Sequence, residues 1–404
     1  MSQTIPVAAP STVPSAERYL SGDDILNNAR GLVNWLRARS EAIESARRLP
    51  ADVVQKLREA GVFRMNMPRS WGGPEMTPMQ QIEVIEEISR GDASAGWCTM
   101  IGADSGIYSA YLDESVARQM YPRLDMIQGG WVYPVGQAHR VNGGYEVTGT
   151  WMFGSGSNHC DWLAGGCVVY QGDKPAPGAN GSPEWRIVIA KPSEYEILDT
   201  WYTTGLCGTG SNDYRCTRLF VPEERTFTFV EPAKRSGTLW RRPDTFLRKM
   251  AAIPLGVARD ALDTATRIAG QKVEMPEGRR LRDLARVQAA IAEAEGIYGA
   301  ARSYVFSSLE RQWNKLERNE ELTKRDRADV WLARTNAFQS ARRVVEMMFD
   351  LVGGSAVYSR KSPLDRNLRD VQTMCQHICG QMKPLEGVGG MLLDSPLARP
   401  HPLM

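Results

Sequence analysis

Between Asp23 and Gly91, apolar side chains recur at three- and four-residue steps, with Arg and Glu between them. Ile25, Leu26, Ala29, Leu32, Val33, Leu36, Ile43 and Ala46 form one such stripe and predict a helix starting at Asp23. Pro50 restarts a helix at its first turn. Val53, Val54 and Leu57 share one face of it, and Gly61 ends it in the C-terminal capping position. Thr77-Pro78-Met79-Gln80 reads as a capping-box start, Ile82, Ile85 and Ile88 follow, and Gly91 stops that helix. Residues 93–120 continue as helix with a weaker period. Residues 1–20, rich in Pro, Ser, Thr and Ala, have no period and read as a mobile tail.

Near Gly129 the pattern changes to glycines, β-branched residues and short alternating runs. Tyr145 to Trp151 is the first clear strand candidate. Trp162 to Tyr170, Trp185 to Ala190, Tyr195 to Leu198 and Arg215 to Val221 are others. Asn142-Gly143-Gly144 and Gly178-Ala179-Asn180-Gly181 are the turns between them. Short spacing without intervening helices predicts an antiparallel sheet, sandwich or barrel. After Asp244 helices return. Leu281, Leu284, Ile291, Ala294, Tyr298, Ala301 and Val305 make one stripe. Further helices are expected after Pro254, from Arg325 to Leu351, and from Leu368 to Met382. Four such helices predict a bundle. The expected organisation is α+β: a tail (1–20), an N-terminal helical domain (21–130), a central antiparallel β-domain (131–237) and a C-terminal four-helix bundle (238–404).

Composition narrows the function classes. Among 404 residues, 49 Lys and Arg stand against 47 Asp and Glu, and a chain so balanced lacks the basic face a nucleic-acid partner requires. No apolar run approaches the roughly 20 residues of a membrane span. The N-terminal segment has neither a basic region nor a continuous apolar stretch, so no secretory signal is expected. Seven cysteines, an odd number, then read as reduced cytoplasmic thiols. The 11 Trp and 17 Met are a surplus that composition alone leaves unexplained.

The order of helical layer, β-domain and helical bundle, with Leu49-Pro50, Trp71-Gly72-Gly73, Gly144 through Trp151 and Gly205 through Ser211 in sequence, resembles the acyl-CoA dehydrogenase fold over about residues 21–395. Leu49-Pro50 through Ala60-Gly61-Val62-Phe63 is similar to that superfamily's early helix, and Trp71-Gly72-Gly73 to the turn after it. Gly144 through Trp151 is similar to the strand leading to the flavin, and Gly205-Leu206-Cys207-Gly208-Thr209-Gly210-Ser211 to the Gly-rich flavin-site turn. The dehydrogenases of that fold need a carboxylate base. The two stretches where it would stand, Met374 to Gly380 and Phe246 to Met250, contain none.

Phe153-Gly154-Ser155-Gly156-Ser157-Asn158-His159-Cys160, and Arg369-Asp370-Val371-Gln372 followed by Gln376-His377, resemble instead segments of the two-component flavin monooxygenases of this fold. These are the oxygenase components that hydroxylate 4-hydroxyphenylacetate, steroid-ring phenols and indoles. The resemblance implies an oxygenase that receives reduced FAD, with FMN as the alternative, from a separate flavin reductase. With O₂ the reduced flavin forms a C4a-hydroperoxide and hydroxylates a small aromatic of indole or phenol type. It further implies a cytoplasmic homotetramer. N- or S-oxygenation on the same scaffold, an acyl-CoA dehydrogenase-like flavoenzyme and a catalytically dead scaffold are the other readings.

The same resemblance places Ser155 beside flavin N5 or C4=O and His377 across the substrate cavity, as proton acceptor or as an orienting group. His, with an ordinary pKa near 6.5, suits either role. Gly154 and Gly156 would admit close approach of backbone to the flavin ring. Thr209 and Ser211 offer polar groups to flavin edges or close a plain β-turn. Arg259 balances the charge of reduced flavin or is a solvated helix residue. Trp131, Trp151 and Phe153 are expected at the cofactor, and Trp97, Trp201 and Asp104 around the substrate, with core packing the alternative for each Trp and a water-facing helix position for Asp104. His159 reads as structural support of the turn, and His139 and His401 as surface or tail residues. Cys375 and Cys379 flank His377 on an expected helix, where residues two apart do not share a face, so no metal site is expected.

Overall fold

A computed structural model of the chain describes residues 19–178 and 181–399. Most of the expected tail, His401 and the middle of the 178–181 turn lie outside the described residues.

Local capping sets the helical layer. Ser21 Oγ accepts the Asp24 N–H while the Asp24 carboxylate accepts from Ser21, which starts α1 (Gly22–Ala46). α2 (Ala51–Ala60) follows Pro50 and closes on Gly61, whose φ of +82° suits a residue without Cβ. α3 (Pro78–Gly91) begins with the Thr77–Gln80 capping box. Asp92 then accepts the Ala95 N–H at 2.9 Å and opens α4 (Ala93–Gly102). The expected helix over 93–120 is broken. After α4 come only α5 (Ser105–Tyr108) and α6 (Glu114–Met120), joined by a 3₁₀ turn.

The sheet consists of β1 (Gln128–Val141), β2 (Gly144–Gly154), β3 (Trp162–Gln171), β4 (Lys174–Pro175), β5 (Trp185–Ala190), β6 (Glu196–Ile197), β7 (Asn212–Pro222) and β8 (Thr226–Phe227), in spatial order β6-β7-β2-β1-β3-β5-β8 with β4 on β3. Two expectations need correction. β1 precedes the first expected strand; Gly129, Gly130, Pro134 and Gly136 hide its period. Its register slips between Trp131 and Gly136, where Pro134 has no N–H to give the ladder. The sheet is also not wholly antiparallel, because β1 and β3 pair parallel, Gln128 opposite Trp162. The β1–β2 hairpin returns the chain, and β3 then pairs on the other edge of β1 in the same direction.

The C-terminal helices are α7 (Ala252–Gln271), α8 (Ala285–Glu317), α9 (Lys324–Val352), α10 (Leu364–Met374) and α11 (Pro384–Leu392). α7 packs on α3 across Gly256, where an added Cβ would stand 2.4 Å from the Glu86 carbonyl oxygen. The expected helix to Met382 stops at Met374. Gln376, His377 and Gly380 donate to carbonyls three residues back, and the chain folds so tightly that a Cβ on Gly380 would lie 2.9 Å from Cys375 Cα. His377 therefore sits on a turn between two helices. No helix among the described residues is long and apolar enough to cross a membrane.

Candidate active site

A cavity of about 740 Å³ opens where α4, the β1–β2 corner, the 201–211 loop and the turn after α10 meet. Trp97 reaches it from α4, Trp131 from β1, Phe153 and Ser155 from the end of β2, Trp201 and Ser211 from the loop, and His377 from the turn. Phe153 has a φ of +56°, an outlier for an aromatic residue, next to a register slip between β2 and β7. The rings close in pairs: Trp131 and Phe153 at 5.5 Å, Phe153 and Trp201 at 6.2 Å, Trp97 and His377 edge-to-face at 5.5 Å. Among the described residues no Asp, Glu, Lys or Arg side chain lines the cavity, and His377 is its one imidazole.

The loop is held from behind. Asn212 Oδ1 accepts the Thr200 and Trp201 N–H groups at 3.1 and 3.0 Å, and Trp201 Nε1 donates to the Leu206 carbonyl at 3.0 Å. Asp370 Oδ1 accepts the Leu206 N–H at 2.6 Å, and Arg369 donates to Glu44 and to the Thr204 carbonyl. Gly205 lies so close to α10 that a Cβ would stand 2.1 Å from the Arg369 carbonyl oxygen. Burial raises the Asp370 carboxyl to about 7, against the Leu206 N–H and Arg366, which favour its charge. Gln372, Gln376, Gln381, Thr203, Thr204 and Leu206 also line the cavity and were missing from the expected set. Gln372 and Gln376 stand inside the quoted motif and Leu206 inside the Gly205–Ser211 turn, whereas no sequence signal points to Thr203, Thr204 or Gln381.

Three hydroxyls form one chain. Trp97 Nε1 donates to Ser155 Oγ at 3.1 Å, Ser155 and Ser211 lie 2.7 Å apart, Ser211 and Thr209 2.6 Å apart, and Thr209 donates to the Leu206 carbonyl at 2.8 Å. His377 Nδ1 accepts the Cys379 N–H at 3.2 Å. In the neutral ring that acceptor assigns the proton to Nε2.

Seven of the expected site residues stand at the cavity: Trp97, Trp131, Phe153, Ser155, Trp201, Ser211 and His377. The others stand elsewhere, each for a packing reason. Trp151 is wholly buried inside the sheet, stacked on Tyr214 at 5.4 Å, and Cβ atoms on Gly136 and Gly165 would fall within 2.5 and 2.6 Å of its ring. The missing Cβ of Gly154 points at Asn212 and Tyr214 and that of Gly156 at His159, so neither clears space on the cavity side. Thr209 lies behind Ser211 with its hydroxyl spent on Leu206. Asp104 is buried in an ion pair with Lys249, whose side chain is fully buried. Arg259 packs over Tyr298 and pairs with Asp263 and Glu295, so its charge is already balanced away from the cavity. Cys375 donates to the Phe338 carbonyl while Cys379 faces Met250, so the two thiols diverge. Both His159 ring nitrogens are buried without a partner among the described residues, and burial lowers that imidazole to about 4, which keeps it neutral. His139 stacks on Tyr170 at 5.0 Å, on the sheet away from the cavity.

Comparison with known proteins decides the family. The description Acyl-CoA dehydrogenase, N-terminal domain, matches residues 25–122, and Acyl-CoA dehydrogenase, C-terminal domain, matches residues 249–382. Indole-3-acetate monooxygenase of Pseudomonas putida is 30% identical over 345 residues, 84% of this chain and 86% of that protein. The chain belongs to the flavin-dependent monooxygenases of the acyl-CoA dehydrogenase family. The FADH(2)-dependent resorcinol hydroxylase, oxygenase component, of a Rhizobium species is 25% identical over 374 residues, 88% of this chain and 90% of that protein. The crystal structure of the HsaA monooxygenase from M. tuberculosis superposes with a TM-score of 0.85 at 24% identity, covering 93% of this chain and 98% of that one, which shows the shared fold. For a flavin monooxygenase the cavity has a fitting wall. Its aromatic faces suit a flat ring, its volume lies within the range for cofactor sites, and the buried Trp131 Nε1 has no partner among the described residues, leaving a donor for a ligand.

Proposed function

We propose that this monooxygenase is an oxygenase component that hydroxylates a small uncharged aromatic of indole or phenol type. One observation carries the substrate class: among the described residues, the rings of three Trp and one Phe and no charged side chain line the cavity. A substrate carboxylate desolvated there would have no cation to pair with, at a cost of several kcal/mol. A thioester dehydrogenase would also lack its base in this wall.

When bound, reduced flavin would supply the two electrons that activate O₂, and one atom of that O₂ is the oxygen transferred. Trp131, Phe153, Ser155 and Ser211 hold that cofactor, FAD or alternatively FMN. Trp97 and Trp201 flank the aromatic guest. His377 contributes an Nε2–H to orient an oxygen atom, a donor role that its Cys379 contact favours over a base role. The aromatic wall excludes water, which keeps reactive oxygen from escaping before transfer. The proposal includes a separate flavin reductase as the source of reduced flavin, as the words oxygenase component in the resorcinol relative's name suggest, and a cytoplasmic homotetramer.

The test compares indole with indole-3-acetate as sole substrates, with reduced FAD supplied in solution. Indole is expected to give a kcat/KM at least about 10-fold above that of the acid, because only the acid brings an unpaired charge into the wall. Equal or better turnover of the acid would contradict the uncharged-substrate reading.

A further inference from the structure

We infer that the hydroxyl chain Ser155–Ser211–Thr209 is polarised in one direction and makes the cavity select reduced over oxidised flavin; the inference rests on the flavin reading above. At one end stands Trp97 Nε1, which only donates; at the other stands the Leu206 carbonyl, which only accepts. Four hydrogen-bond links join these ends, and four protons are available: one indole N–H and three hydroxyls. Thr209 gives its proton to Leu206, so Ser211 must give its own to Thr209, and Ser155 must give its own to Ser211. The Leu206 carbonyl also accepts from Trp201 Nε1 and the Thr209 N–H, and the 2.8 Å between its oxygen and Thr209 Oγ1 still requires the hydroxyl proton between the two oxygens.

Ser155 and Ser211 both line the cavity, and each is buried. With their protons spent along the chain, both present lone pairs alone to whatever occupies it. Reduced flavin carries an N–H at ring N5, where oxidised flavin carries a bare nitrogen lone pair. A corner of acceptor-only hydroxyls takes a hydrogen bond from the first and sets lone pair against lone pair with the second. Thr209, outside the wall, is thereby a positioning residue: it fixes the polarity of two hydroxyls.

The experiment measures dissociation constants of FAD, and of dithionite-reduced FAD under anaerobic conditions, for the native protein, Ser211→Ala and Thr209→Val. The native protein is expected to bind the reduced form more tightly. In Ser211→Ala the Ser155 proton is released to donate into the cavity; in Thr209→Val the Ser211 proton is. Oxidised FAD should then bind tighter than in the native protein, and the reduced-to-oxidised preference should fall about 10-fold, the worth of one hydrogen bond. A gain in affinity for one form is a result that a misfolded variant does not give. The inference is overturned if the native protein prefers reduced FAD and both variants keep that preference unchanged. If the native protein binds neither form, the flavin reading itself falls, and the inference with it.

Discussion

Replacement of His377 by Ala is expected to lower the rate of product formation by about 10²-fold or more, the usual worth of a positioned proton-bearing group, and to raise the share of reduced flavin consumed without product. His377 stands in the cavity wall, edge-on to Trp97, and its Nδ1 takes the Cys379 N–H. A neutral ring held that way is a donor at Nε2. The account therefore separates two roles that a lone alanine variant would merge. His377→Gln keeps a side-chain N–H and loses the imidazole, so a donor role predicts that Gln recovers part of the activity, whereas a base role predicts that it recovers none. His377 is only half-buried, so both variants should fold. Native coupling and rate in His377→Ala would remove the residue from the chemistry.

The second large effect concerns stability. Lys249→Met is expected to destabilise the fold by about 3–5 kcal/mol at neutral pH, read as a shift in denaturant midpoint, because Asp104 is left buried without its counter-ion. Both side chains are almost wholly removed from water, so solvent screening does not blunt the loss. The double variant Lys249→Met, Asp104→Leu should recover most of it, since removing both charges also removes both desolvation penalties. The deficit also depends on pH. Burial raises Asp104 to about 6 even with Lys249 beside it. A carboxyl whose folded pKa lies above its unfolded value contributes stability at low pH and loses it as pH rises through the folded value. Without Lys249 that value moves further up. The single variant should therefore recover about 1 kcal/mol of its deficit as pH falls from 7 to below about 6. A deficit that stays constant with pH, or a double variant no better than the single one, would contradict the burial argument.

How much of this was readable from the chain depends on what each feature rests on. Helix starts at Pro50 and Thr77 and the stop at Gly61 are written in neighbouring residues and stand where the local pattern puts them. The order of helical layer, sheet and bundle was legible for the same reason. β1 was not, because its glycines and Pro134 carry the signature of a turn, and only pairing with β2 and β3 makes it a strand. The end of α10 is set by a fold-back of Gly380 onto Cys375, a tertiary contact that leaves no period to read. Within the site, Trp97, Trp131, Trp201, Ser155 and His377 do share one cavity. Trp151 does not, because a register slip after it separates its direction from that of Phe153. Asp104 and Arg259 were misplaced because each is claimed by a partner distant in sequence, Lys249 and Glu295. The hydroxyl chain was invisible for a related reason: Trp97, Ser155 and Ser211 are brought together only by the fold.

The central claim is that this chain takes reduced flavin from solution and places one atom of dioxygen on an uncharged aromatic. The most direct test mixes the purified protein with photoreduced FAD and indole, admits isotopically labelled dioxygen, and analyses the products by mass spectrometry. The account predicts a hydroxylated indole carrying one labelled oxygen atom, formed only when protein and reduced flavin are both present. Hydrogen peroxide as the sole product across neutral indoles and phenols, or label-free desaturation of an acyl thioester by the flavin-loaded protein, would contradict it.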